Sequence, residues 1–214
     1  MKQSILRRHF HIAICGNVGV GKSTLAKLLQ SQMNGQIILE NPENFPFVED
    51  AFDDPLRWGF SNQMQFLVSK IIDQGLISKM NGLILQEMDI VATHRIWTPV
   101  LEDMGFISKK EVLVVNQTYG LKEIANISIP NLYIVLKGNP QTIIGRIVSR
   151  NRDYESRFSD TLRLVNALEQ HVQEFSRSIK TPSISIDTST VNILEANLDE
   201  IIEQISLAMA ESND

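Results

Sequence analysis

The chain has 214 residues, which is enough for one domain and too few for two full hydrophobic cores. Hydrophobic residues make up 43% and charged residues 21% of the sequence; these values are typical of globular proteins and exclude the disordered, collagen-like and coiled-coil classes. The formal net charge is −5, which argues against a nucleic-acid polymer as partner, because binding to a phosphate backbone needs a basic face.

Five short apolar runs predict β-strands. They are Phe10–Cys15, Ile37–Glu40, Gly82–Gln86, Leu132–Lys137 and Ser183–Asp187. The runs are almost continuously hydrophobic instead of alternating, as expected of parallel strands that are covered on both faces.

Helical patterns fill the intervals between these runs. Phe60, Met64, Leu67, Val68, Ile71 and Ile72 recur at helical spacing and predict one apolar helix face. Ser108 and Glu111 match a capping box, Pro140 suits the first turn of another helix, and the spacing from Leu198 to Ile205 predicts a C-terminal helix. The alternation predicts an α/β fold: a single domain over residues 1–214, with a five-stranded parallel sheet and helices on both faces.

The first strand carries the lone cysteine, Cys15. One cysteine excludes an intrachain disulfide and a multi-cysteine metal site, and it suits a reducing, cytoplasmic location. No apolar run approaches the roughly 18 residues that a membrane span requires, so we expect no membrane partner.

The residues after the first predicted strand match the phosphate-binding pattern GxxxxGK[ST]. The match is Gly16, Asn17, Val18, Gly19, Val20, Gly21, Lys22 and Ser23, and Thr24 follows it. Glycines let backbone N–H groups surround a phosphate without a clashing Cβ atom. In this pattern the lysine reaches the β- and γ-phosphates and the serine hydroxyl binds Mg²⁺. A nucleoside triphosphate site is therefore predicted, and the lack of an NKxD tetrapeptide argues against a GTPase.

Two acidic residues and a basic segment follow predicted strands, where ligands bind in parallel sheets. Glu40 ends the second predicted strand, where a carboxylate can accept the proton of a hydroxyl that attacks the γ-phosphate. Glu87 follows the third strand. Arg146, Arg150 and Arg152 end a predicted helix, and cations that close over the phosphates stabilise the transition state. The alternatives are a solvated strand end for Glu40 and an ordinary basic surface turn for the arginines.

In these motifs and their order the chain resembles the deoxyribonucleoside kinases, in particular the bacterial deoxyadenosine/deoxyguanosine kinase-like branch. The resemblance implies a P-loop kinase fold with an arginine-bearing lid at about residues 149–158. It also implies that ATP and Mg²⁺ serve to phosphorylate the 5′-hydroxyl of a deoxyribonucleoside. A cytoplasmic homodimer is implied as well, packed through helices like those at Arg57–Gln74 and Asp89–Asp103.

The same resemblance implies roles for individual residues in catalysis and in binding of ATP and metal, with Glu40 also among the substrate-binding residues. Catalytic roles fall on Glu40 as general base and on Lys22, Arg150 and Arg152 as charge stabilisers. ATP contacts fall on residues 16–24 and Arg146. Metal contacts fall on Ser23 and on Glu87, which occupies the first position of the family's D/E-R-S motif.

On the acceptor side, Gln63 corresponds to the base reader and Glu155 to the residue on the sugar 3′-hydroxyl. Four further substrate-binding positions depart from the family's pattern: Phe52 replaces a tyrosine, Lys70 and Met88 replace arginines, and Thr93 replaces an aspartate. We interpret these changes as a nucleoside pocket remade with more apolar side chains, in which Arg95 is a candidate replacement charge.

Two alternatives to a nucleoside kinase remain at this point. One is a nucleoside monophosphate kinase, but residues 40–54 contain no Lys or Arg to pair with an acceptor phosphate. The other is a nucleotide-binding protein of this fold with altered or lost acceptor activity, which the change to Met88 motivates and the presence of Glu40 opposes.

Overall fold

The computed structural model describes residues 9–124, 127, 129–190, 193 and 198–211. Its strands are β1 (Phe10–Gly16), β2 (Gln36–Ile38), β3 (Leu83–Glu87), β4 (Leu132–Lys137) and β5 (Ser183–Asp187). They form one parallel sheet in the order β2-β3-β1-β4-β5, which confirms the predicted fold class. The prediction for the second strand was wrong at its end, because β2 stops at Ile38 and Glu40 lies in the loop beyond it.

Helices connect the strands and cover the sheet. They are α1 (Lys22–Met33), α2 (Val48–Asp53), α3 (Pro55–Ile77), α4 (Ile90–Ala92), α5 (Thr98–Asp103), α6 (Lys109–Ile124), α7 (Pro140–Arg150), α8 (Asp153–Arg157), α9 (Thr161–Ser178) and α10 (Asp199–Glu211). A π-helical segment, Thr93–Trp97, joins α4 to α5. Within the described ranges, no helix combines the length and the apolar character needed to cross a membrane.

Two of the predicted helix starts are confirmed by their capping geometry. The backbone N–H of Ser108 donates to Glu111 Oε2 at 2.7 Å, and the N–H of Glu111 donates back to Ser108 Oγ at 3.3 Å, so the capping box precedes α6. Pro140 stands in the first turn of α7 after the cap residue Asn139, whose side chain accepts from Gln141 N.

Alternate residues of the central strands enter two separate cores. Ile12 and Ile14 of β1 lie in the core that includes helices α1 and α7, whereas Ala13 and Cys15 lie in the core that includes α9. This division follows from the two-residue period of a strand. Both faces of the sheet are therefore buried, and the ends of its strands are what remains for a ligand.

Helix α3 buries only part of the predicted face: Leu67 is buried and Phe60, Met64 and Ile71 are half-buried, but two of the predicted positions are exposed. Val68 and Ile72 are 46% and 60% exposed. The buried stripe consists of Gln63, Leu67, Lys70, Gln74 and Ile77, in which three of the five side chains are polar. The apolar spacing located the helix but only part of its inner face.

Candidate active site

One cavity of about 450 Å³ opens at the carboxyl end of the sheet, where ligands bind in folds of this type. The phosphate loop (residues 16–24), the segment around Glu40, helices α2 and α3 and the lid (residues 149–158) all contribute to its wall. The sites predicted separately from the sequence thus face one space. Those that line it are residues 18–24, Glu40, Phe52, Gln63, Glu87, Thr93, Arg146, Arg150, Arg152 and Glu155.

The phosphate loop has a backbone that only glycine tolerates at its first residue. Gly16 has φ 148°, and a Cβ atom there would lie 2.3 Å from the carbonyl oxygen of Leu136 in β4. Lys22 Nζ curls back into the loop and donates to the carbonyl oxygens of Gly16 at 3.3 Å and Asn17 at 3.0 Å. Because α1 begins at Lys22, its unpaired N–H groups face the same space and favour an anion.

A buried glutamate that the sequence analysis missed supports this loop. Asn17 Nδ2 donates to Glu169 Oε2 at 3.3 Å and to the carbonyl oxygen of Val165 at 2.9 Å, both in α9. Glu169 Oε1 also accepts from the backbone N–H of Gly138 at 3.3 Å. Burial raises the pKa of Glu169. Nothing in the local sequence of α9 marks Glu169, since its partners are distant in the chain.

Ser23 and Glu87 bring two side-chain oxygens together at the phosphate loop. Ser23 Oγ donates to Glu87 Oε2 at 2.8 Å, and Glu87 is only 6% exposed. Hard cations such as Mg²⁺ prefer oxygen ligands and are usually held by one or two carboxylates together with substrate phosphates. The two side chains fit such an ion, although the described part of the chain contains no cluster of three or more His, Cys, Asp or Glu side chains that could hold a metal.

Asp89, which the sequence analysis did not select, follows β3 and caps the N-terminus of α4. Its carboxylate accepts from the backbone N–H groups of Val91 and Ala92 at 3.1 and 3.0 Å and from the Tyr133 hydroxyl at 2.8 Å. Burial raises the pKa of Asp89. The preceding residue, Met88, has φ 51° and a side chain that is packed in the α9-side core, so it does not line the cavity.

Glu40 is paired with the lysine that replaces one of the family's arginines. Lys70 Nζ lies 3.0 Å from Glu40 Oε1 and donates to the carbonyl oxygen of Glu87 at 2.9 Å. Like Met88, Lys70 is buried behind the cavity wall and does not line it. The idea that Arg95 supplies a charge to the pocket was wrong: its guanidinium donates to Ser178 Oγ at 2.6 Å and lies over the Phe175 ring.

The acceptor end of the cavity is a largely apolar slot that includes the amide of Gln63. Gln63 Nε2 donates to Thr98 Oγ1 at 3.0 Å and to the Thr93 carbonyl oxygen at 3.4 Å. The surrounding wall includes Val48, Phe52, Phe66, Trp97, Leu101, Phe106 and Phe158. Flat aromatic walls with a fixed polar group suit a heterocyclic base. Thr93 lines this slot, as the apolar interpretation of the pocket requires, whereas Met88 does not.

The three predicted arginines all lie on the phosphate side of the cavity. Arg146 donates to the carbonyl oxygen of Val20 at 3.3 Å and to Thr188. Arg150 is held by both carboxylate oxygens of Glu155. Arg152 pairs with Glu43 at 2.5 Å, which links the lid to the segment after Glu40. Arg146 thus contacts the phosphate loop through Val20, and the side chains of Arg150 and Arg152 also line the cavity.

Comparison with known proteins agrees with this geometry. Residues 12–209 match the family model for deoxynucleoside kinase. The chain is 26% identical over 211 residues to a deoxyadenosine/deoxycytidine kinase of Bacillus subtilis (strain 168), covering 96% of each protein. It is 31% identical over 185 residues to a deoxyadenosine kinase of Dictyostelium discoideum, covering 84% of this chain and 72% of that protein.

A solved structure shows the same fold. Deoxyadenosine kinase from M. mycoides, with the products dCMP and dCDP bound, superposes with a TM-score of 0.80 at 20% identity and covers 92% of this chain and 99% of that one. Other structures of that enzyme hold dCTP and dATP. The family match spans nearly the whole chain, with the phosphate loop, Glu40 and the lid inside it, and the chain therefore belongs to the deoxynucleoside kinase family.

Proposed function

We propose that this deoxynucleoside kinase transfers the terminal phosphate of ATP to the 5′-hydroxyl of a deoxyribonucleoside and releases the monophosphate. The observation that carries the proposal is the continuity of the cavity. The phosphate loop, Glu40 and the apolar slot beside Gln63 line one space. A triphosphate and a nucleoside that enter from opposite ends would meet at Glu40.

On the donor side, the loop N–H groups and Lys22 bind the phosphates. Lys22 Nζ donates to the carbonyl oxygens of Gly16 and Asn17. Phosphate oxygens would replace these carbonyl groups, because a charged acceptor makes a stronger hydrogen bond. Arg150 and Arg152 add positive charge from the lid, where negative charge spreads over the transferred group. Arg146 fixes the base of the lid against Val20. ATP is the expected donor, since structures of the M. mycoides enzyme hold nucleoside triphosphates.

Mg²⁺ fits beside the phosphate loop. Ser23 and Glu87 would hold it, because their oxygens already lie 2.8 Å apart at the wall of the cavity. Such an ion would neutralise negative charge on the phosphates during transfer.

On the acceptor side, Glu40 accepts the proton of the attacking hydroxyl. Gln63 and the aromatic wall hold the base, while Phe52 and Glu155 border the sugar. Phe52 packs against Tyr154 of the lid, with ring centroids 5.1 Å apart. Because Phe52 has no hydroxyl, the sugar 3′-hydroxyl is left to Glu155, which must loosen its pairing with Arg150 to accept it.

The direct test is a radiolabelled-phosphate screen of the four deoxynucleosides and their ribose counterparts with ATP and Mg²⁺. We expect a nucleoside monophosphate from at least one deoxynucleoside and little product from its ribose form. A chain that turns over nucleoside monophosphates and no nucleoside would contradict the proposal. Binding of ATP without acceleration by any nucleoside would identify a protein that has lost acceptor activity.

We also propose a homodimer that packs through α3 and α6. Large apolar side chains are exposed on both helices: Leu56, Val68, Ile72 and Leu76 on α3, and Leu113, Val114 and Leu121 on α6. The segment Asp89–Asp103, by contrast, exposes no large apolar side chain. Exposed apolar patches of this kind mark contact surfaces. Sedimentation should give a dimeric mass that Ile72→Lys reduces to that of a monomer; a monomeric parent protein would exclude the dimer.

The cytoplasmic location and the single domain over residues 1–214 stay predictions.

A further inference from the structure

The groups around Glu40 indicate a residue that affects phosphate transfer without touching the substrate. We propose that Lys70 is a positioning residue, which holds the Glu40 carboxylate in the orientation needed to take the proton of the acceptor hydroxyl. The inference rests on the proposed role of Glu40 as general base and adds the cation on which that base depends.

Lys70 connects the two acidic positions at the sheet edge. Its ammonium is 3.0 Å from Glu40 Oε1 and 2.9 Å from the backbone carbonyl oxygen of Glu87. Glu40 follows β2 and Glu87 ends β3, the neighbouring strand. A lysine ammonium offers three donors, so one side chain from α3 sets the spacing between the proton acceptor and the proposed metal ligand.

Burying the ammonium of Lys70 costs free energy, which its interactions with Glu40 and Glu87 must offset. The side chain is only 1% exposed, and removing an ammonium from water costs several kcal/mol before pairing. Asp73 Oδ2 lies 4.0 Å away. Asp73 is therefore the more distant of the two carboxylates, since Glu40 Oε1 lies 3.0 Å from the ammonium. The charge of Lys70 is thus directed mainly at Glu40, whose carboxylate lines the cavity.

This pairing leaves one oxygen of Glu40 for chemistry. Oε1 is occupied by Lys70, and within the described part of the chain no protein group donates to Oε2. The second oxygen is then the atom that faces an incoming hydroxyl. Holding a reacting group in place lowers the barrier because its orientational freedom has already been lost.

The test compares Lys70→Met with the matched change Lys79→Met, which removes an exposed ammonium just beyond the end of α3. We expect Lys70→Met to lower kcat by about tenfold to hundredfold and to leave the KM for ATP within about twofold. Lys79→Met should match the parent protein. If Lys70→Met keeps more than half of the parent kcat, the inference is overturned.

A double-mutant cycle separates positioning from a general effect on the fold. In a Glu40→Gln background, Lys70→Met should cause little further loss, because both changes remove the same function. An equal relative reduction of kcat in both backgrounds would show that Lys70 affects only the folded structure and does not act through Glu40. If Lys70→Met melts below the assay temperature, the cycle is run with Lys70→Gln, which keeps a hydrogen-bond donor without the charge.

The outcomes also distinguish this inference from the function on which it rests. A parent protein that phosphorylates no nucleoside overturns the proposed function and the role of Lys70 with it. Normal turnover that falls in Glu40→Gln but not in Lys70→Met overturns only the role of Lys70.

Discussion

The donor and acceptor ends of the cavity are constructed in different ways. The donor end is built around one contiguous loop, Gly16 to Thr24, in which the proposed contacts to a phosphate come largely from backbone N–H groups. The acceptor end takes its side chains from α2, α3, the π-helical segment, α5 and the lid. A loop whose backbone conformation depends on glycine tolerates few substitutions. A pocket wall made of side chains can exchange Arg for Lys or Tyr for Phe and still enclose a ligand. Of the four departures from the family's pattern, Phe52 and Thr93 line the cavity, whereas Lys70 and Met88 are buried behind its wall.

The largest expected effect separates chemistry from donor binding. Glu40→Gln should lower kcat at least about a hundredfold, because a general base is lost, while the KM for ATP stays near that of the parent. Steady-state kinetics with ATP and the preferred nucleoside measure both. Glu49→Gln in α2, an exposed position, is the matched control. Unchanged turnover in Glu40→Gln would remove Glu40 from the mechanism and erase the distinction between the two ends.

A second prediction concerns the sheet beneath both ends. His11 of β1 is fully buried and contacts Gln86 Oε1 in β3 at 3.0 Å. Burial lowers its pKa to about 4, although the bond to Gln86 opposes the shift. The unfolded chain, in which His11 titrates near 6.5, therefore binds more protons as the pH falls, and stability must fall with it.

The size of this effect follows from the two pKa values. Between pH 7.5 and pH 5, His11 should cost about 2 kcal/mol of unfolding free energy, and below pH 4 its contribution should be constant. Urea unfolding of the parent protein and of His11→Asn at both pH values measures it. Parallel pH dependence in the two proteins would show that His11 does not carry the effect.

A smaller effect is expected from the base reader. Gln63→Leu removes a neutral hydrogen-bonding group from the acceptor slot, which should raise the KM for the nucleoside by about tenfold and leave the KM for ATP unchanged. The neighbouring change Asn62→Leu, at the same cavity wall, tests whether the effect is specific to Gln63. An equal rise in both KM values would mean that the two ends are not independent.

The smallest effect is expected from the contact that joins the two ends across the lid. Arg152 and Glu43 are both partly exposed, at 32% and 52%, and exposed ion pairs contribute only about 0–1 kcal/mol. Glu43→Gln should therefore change kcat and both KM values by less than about threefold. A tenfold change in either direction would show that this ion pair controls lid closure.

Several features of the site were predictable from local sequence because they depend on neighbours in the chain. The phosphate loop was located from its glycines and Lys22, and the five strands from their apolar runs. Glu40 was selected even though β2 ends earlier, at Ile38, since the loop still delivers it to the sheet edge. Contacts between distant segments, such as Glu169 with Asn17, left no local signal.

Helix α3 shows most clearly where sequence reasoning stopped. Its apolar spacing predicted an inner face that includes Val68 and Ile72, but these side chains are exposed, and polar Gln63, Lys70 and Gln74 point inwards. Hydrophobic periodicity assumes that buried positions are apolar. Helix α3 departs from this assumption twice, because polar side chains are buried on one face and apolar side chains are exposed on another.

By itself the sequence determined the α/β architecture and located the glycine-rich loop for which we propose phosphate binding, because short-range periodicity and backbone conformation dictate both. Only the tertiary structure decided which cation faces Glu40: the sequence had suggested Arg95 as the replacement charge, and the structure has Lys70 there. Packing turned Met88 into the core and Arg95 towards α9. It left Lys70 beside the carboxylate, where the cost of burying each charge is offset by the other.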